Sequence, residues 1–111
     1  MNDAASILAA RLADLWRNSR PLIDERLAAL RATHEALTLN FDDVAARTRG
    51  REAAHKLSGV LGTFGLPRGS EIAGAIEGKL MDHDPLGPAD LDQMAAHIAA
   101  LDAVIASKNA G

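Results

Sequence analysis

An all-α fold, an antiparallel up-down four-helix bundle with an additional N-terminal helix, is predicted by three observations. Ala and Leu dominate the 48 % of the 111 residues that are hydrophobic, while there are only two Phe, one Trp and no Tyr. Such a chain suits helix-on-helix packing better than sheets, which favour β-branched and aromatic side chains. Apolar residues recur at spacings of three and four, the helical period. Short turn-rich interruptions separate these stretches, and short loops favour antiparallel neighbours. At this length the chain 1–111 forms one domain with a modest core.

Five helices are expected, over about 3–17, 20–38, 43–63, 67–81 and 88–108. The first carries Ile7, Leu8, Leu12, Leu15 and Trp16. Asn18-Ser19 is read as a break, with Pro21 in the first turn of the next helix, where proline is tolerated. The second helix has Ile23, Leu27, Leu30, His34 and Leu37 in a 4-3-4-3 bundle seam. In Asn40-Phe41-Asp42-Asp43 an aspartate can accept from the first free amides of the third helix. Pro67 or Ser70 opens the fourth. The run Asp82 to Asp90, rich in Pro, Gly and Asp, is a loop. The fifth helix repeats the seam with Leu91, Met94, Ile98, Leu101 and Ile105.

Charge and composition exclude several functions. The net charge of −3 is wrong for a nucleic-acid binder, which needs a basic surface to neutralise phosphates. No cysteine is present, so disulfides and thiolate metal sites are out. No apolar run approaches a membrane span, and the N-terminus, with its early Asp3 and Arg11 among apolar residues, does not read as a signal peptide. The expectation is a cytoplasmic, monomeric domain with no membrane or nucleic-acid partner.

The third predicted helix holds the unusual stretch Ala53-Ala54-His55-Lys56-Leu57-Ser58-Gly59, with further glycines at 62, 65 and 69. At about 100° per residue, Ala46, Gly50, Ala53, Leu57, Val60, Leu61 and Phe64 fall opposite His55. Thr48, Arg51, Glu52, Ser58, Gly59 and Gly62 fall within about 60° of it. His55 therefore sits on the wet face, and is not a core histidine. Each glycine on that face destabilises the helix by roughly 0.8–1.0 kcal/mol relative to alanine. Core packing does not require that cost, whereas close approach of another protein to the imidazole does.

His55, Lys56, Leu57, Ser58 and Gly59, followed by Phe64-Gly65, resemble the signature of histidine-containing phosphotransfer (HPt) domains, and the helix count and histidine position extend the resemblance over essentially the whole chain. The resemblance implies a phosphoryl carrier, not an enzyme with a nucleotide site. It would relay the group between response-regulator receiver domains through phosphohistidine at His55, with a hybrid histidine kinase as a further partner. No cofactor is expected on this chain; Mg²⁺ and most of the catalysis would come with the receiver. Gly59 and Gly62 would give room for in-line attack. One residue departs from the family pattern: Ser58 stands where a lysine is usual. Arg51, one turn before His55, and Lys56 are candidates to share the missing charge. From Val44 to Ser70 there are five basic residues (Arg47, Arg49, Arg51, Lys56, Arg68) and one acid, Glu52. That patch suits an acidic receiver pocket and would speed encounter. Ile7 or Leu8 would complete the docking surface.

The Ser58 substitution also supports an alternative, a helical interaction module that binds a receiver or kinase domain without accepting phosphate. His34, in a seam, is read as a partly buried structural residue, and His97 has no acidic partner at ligand spacing. The run Asp82-His83-Asp84 is turn chemistry rather than a metal site. Glu52 and His55 are the only Glu-x-x-His pair, where a di-iron bundle needs two. No metal site is expected.

Overall fold

The computed structural model describes residues 3–81 and 84–110. Among them are four helices, α1 (Asp3–Leu39), α2 (Val44–Thr63), α3 (Pro67–Met81) and α4 (Pro88–Ala110). Each helix packs on two neighbours, α1 on α2 and α4, and α3 on the same two, while the diagonal pairs stay apart. The result is an up-down four-helix bundle. Its core is built from one stripe per helix, including Leu30 and Leu37 of α1, Leu57 and Leu61 of α2, Ile76 of α3, and Leu101 and Ile105 of α4, all nearly inaccessible.

The first two expected helices are one. α1 runs 37 residues without interruption and contains Pro21; there is no separate N-terminal helix. Asn18 and Ser19 cost only a few tenths of a kcal/mol each inside a helix, too little to end one. Pro21 lacks an N–H and crowds the carbonyl one turn back, yet it lies on the exposed side, where water can bond the freed carbonyl of Arg17. The opposite face holds buried Trp16 before the proline and Ile23 after it. Breaking the helix there would lift Trp16 off Phe64, whose rings meet edge to face at 5.2 Å. At 1.5 Å per residue, α1 is about 55 Å long, and the molecule's longest extent is 57 Å. Every residue from 3 to 15 is exposed, so this end of α1 overhangs the bundle.

The other boundaries have local causes. Asp43 caps α2, its carboxylate accepting from the Ala46 N–H at 3.0 Å. α2 ends in a Schellman turn: Leu66 N–H bonds the Leu61 carbonyl and Gly65 N–H that of Gly62. Gly65 adopts φ 71° there, a conformation costly for any other residue. Arg47 closes the end of α3, its Nε donating to the Leu80 carbonyl at 2.9 Å and its terminal nitrogens to the Lys79 and Asp84 carbonyls. At the start of α4, Asp90 reaches back to accept from the Gly87 N–H at 2.9 Å, and Lys79 pairs with it at 3.1 Å. α1 and α2 approach closely at Gly50, where an added Cβ would stand 2.5 Å from Thr33 Cγ2.

Candidate functional site

α2 is amphipathic. Ala46, Gly50, Ala53, Ala54, Leu57 and Leu61 are buried, while Arg51, Glu52, His55, Lys56, Gly59 and Gly62 are exposed. His55 lies mid-helix with 73 % of its side chain accessible. Its ring is nevertheless held. Nδ1 stands 2.8 Å from Glu77 Oε2, and Glu77, on α3, is only 22 % exposed. An imidazole meets a carboxylate through a donated N–H. Nδ1 is thus the nitrogen that donates toward Glu77, and Nε2 is the ring nitrogen outside that bond.

Arg51, Glu52, Lys56, Glu77 and Met81 line one open depression with His55. Arg51, one turn before His55, and Lys56, the residue after it, thus border the histidine, with Glu77 facing it from α3. One turn beyond His55, an added Cβ on Gly59 would meet no atom within 4 Å. No described residue of this chain requires that glycine. Gly62 differs little, since an added Cβ would stand at ordinary contact distance, 3.4 Å, from Ser70 Oγ.

Ser58 is turned into that same contact. Its hydroxyl donates to the Ser70 carbonyl at 3.0 Å, and the Ser70 hydroxyl donates to the Ser58 carbonyl at 2.8 Å. The two oxygens are 3.1 Å apart. This reciprocal pair ties α2 to α3 one turn beyond His55. The five-residue basic patch is also smaller than the charge count implies. Arg47 caps α3, and Arg68 lines a groove with Ala100, Val104 and Lys108 of α4. Arg49 and Lys56 border a second depression, shared with Leu22, Glu25 and Arg26 of α1.

Glu77 is the residue that sequence reasoning missed. Ser58 and Gly62 on α2, and Ser70 and Gly74 on α3, are the small residues that mark a close antiparallel contact. In that register the stretch 73–77 passes His55, and Glu77 is the acid within it. His34 is half-buried, with Nε2 3.0 Å from the Leu91 carbonyl, a bond that joins α1 to α4. Asp82 and His83 lie outside the described residues. Among the described residues no three of His, Asp and Glu gather as a metal cluster, and no helix is long and apolar enough to cross a membrane.

The sequence model of the Hpt domain matches residues 12–106. The chain belongs to the Hpt domain family. No curated protein and no solved structure gives a significant match. Membership places this Hpt domain in histidine phosphotransfer within two-component signalling, among domains that contact receiver and kinase domains and act as phosphocarriers rather than classical enzymes.

Proposed function

We propose that this Hpt domain relays a phosphoryl group between receiver domains of a multistep phosphorelay, through phosphohistidine at His55 Nε2. One observation carries the reading: an exposed imidazole at mid-helix whose Nδ1 is held by Glu77, leaving Nε2 outside that bond. In the forward step the Nε2 lone pair attacks the phosphorus of a receiver's aspartyl phosphate. The N–P bond forms as the P–O bond breaks, and the receiver's aspartate leaves as carboxylate. Nδ1 keeps its proton throughout. The ring consequently gains positive charge as the bond forms, and the Nδ1–H bond to Glu77 becomes charge-assisted at that moment. Return transfer to a second receiver reverses each change.

Nothing else in the step needs a base, a nucleotide or a metal of this chain; the Mg²⁺ is the receiver's. Arg51 and Lys56 border the site and offset the phosphoryl charge, partly in place of the usual lysine, while Ser58 contributes through the α2–α3 contact that places Glu77. Gly59 and Gly62 give clearance for the receiver's catalytic pocket. A hybrid histidine kinase, through its own receiver, is the natural source of phosphate, in the cytoplasm.

The test mixes the protein with a radiolabelled phospho-receiver and Mg²⁺. Label should move to this chain as an acid-labile, base-stable adduct and should be lost in His55→Ala. Binding of the receiver with no transfer would favour the interaction-module reading instead.

A further inference from the structure

The overhang of α1 is not explained by phosphotransfer at His55. Leu8, Leu12, Leu15 and Leu22, with Ser19 between the last two, follow a 4-3-4-3 spacing, the pattern of a helix–helix seam. All four leucines are exposed, Leu8 at 59 % and Leu15 at 54 %. Helical segments of about 13 residues are marginal in water without packing partners, and this one carries an apolar stripe into solvent.

A receiver docked on His55 does not reach the far end of that stripe. Trp16 of α1 is level with Phe64 of α2, as their ring contact shows. Phe64 is nine residues past His55, about 13 Å along the helix, and Leu8 lies about 12 Å beyond Trp16. A compact domain of about 120 residues, with a radius of gyration of ~14 Å, reaches about 18 Å from its centre, so one centred on His55 ends short of Leu8, about 25 Å away along the axis. The family match also begins only at residue 12. This end of the stripe calls for another occupant.

We propose that the occupant is a second copy of this chain, with the two overhangs packed antiparallel. The charges beside the stripe are self-complementary. Arg11 and Asp14 lie on the same flank, about 60° apart around the helix. With Leu12 set against the partner's Leu15, each Arg11 comes beside the other chain's Asp14. Asp14 also pairs with Arg17 of its own chain, and in the assembly it would share its carboxylate between that arginine and the partner's Arg11. Because the overhang projects past the bundle, two copies can meet there with both His55 faces open. A two-chain assembly replaces the monomer expected from the sequence, and it does not depend on what His55 does.

Sedimentation of the full chain across a dilution series tests this. The wild type should show twice the chain mass, falling to the chain mass only on strong dilution. Leu12→Glu/Leu15→Glu should be monomeric throughout, with unchanged helical circular dichroism. Arg11→Glu and Asp14→Arg should each weaken the dimer, and their combination should restore it. A wild type that sediments as one chain at every concentration would overturn the proposal. So would a leucine double variant that still dimerises, or a monomeric wild type whose leucine variant loses receiver binding, which would assign the face to the receiver.

Discussion

At the scale of single residues, Glu77 holds the His55 ring. An exposed histidine without a partner samples both tautomers and many rotamers, whereas this one has its Nδ1 proton fixed by a carboxylate at 2.8 Å. Ala at position 77 should slow phosphoryl acceptance by roughly tenfold, the equivalent of about 1.4 kcal/mol. The bond is partly solvated, and more would exceed what such a contact supplies. Gln at 77 keeps an acceptor and should recover most of the rate. Nitrogen NMR of His55 separates this from general damage: the Nδ1–H tautomer should dominate in wild type and E77Q and lose its dominance in E77A. The glycines and the exposed position of His55 were legible from spacing along one helix. Glu77 was not, because it belongs to a different helix and only the α2–α3 register brings it to the ring.

At the scale of helices, the ends were more legible than the continuity. α2, α3 and α4 begin within a residue of the positions marked by Asp43, Pro67 and Pro88, since caps and prolines act locally. The continuity of α1 through Asn18, Ser19 and Pro21 depends on Trp16 and Ile23 facing one core, a tertiary fact that no local rule contains. Pro21→Ala should therefore stabilise the protein, by about 1–3 kcal/mol, because it restores an N–H toward the Arg17 carbonyl and removes a clash. Thermal unfolding checks this, and a lower melting temperature would mean that the proline sets a bend the bundle needs. The start of α4 carries a pH dependence. The Gly87 N–H and then Lys79 hold the Asp90 carboxyl below its ordinary range. The folded state thus binds this proton less readily than the unfolded chain does. The stabilisation is present above the unfolded value, near ~4, and is lost as pH falls through the lower folded one. Asp90→Asn should flatten the acid side of the stability profile and lower stability at neutral pH.

For the whole molecule, the four-helix bundle is a rigid mount. It fixes α2 on both flanks, so that the α2–α3 serine pair and the His55–Glu77 bond are held by packing rather than by the site itself. Composition and seam spacing made that bundle readable. The charge pattern was readable only in part. Arg47 and Arg68 add to the local positive count, yet the fold directs one to the carbonyls of α3 and the other toward α4. Arg51 and Lys56 are what remains beside His55. The overhang of α1 went unread for the reason that governs the proline, since a seam in sequence does not say where its partner helices end. The most direct test of the central claim is phosphorus and nitrogen NMR of the protein after phosphorylation by a receiver. The account predicts a single phosphoramidate whose phosphorus couples to Nε2 of His55. A phosphoryl group on Nδ1, or on any residue other than His55, would contradict it.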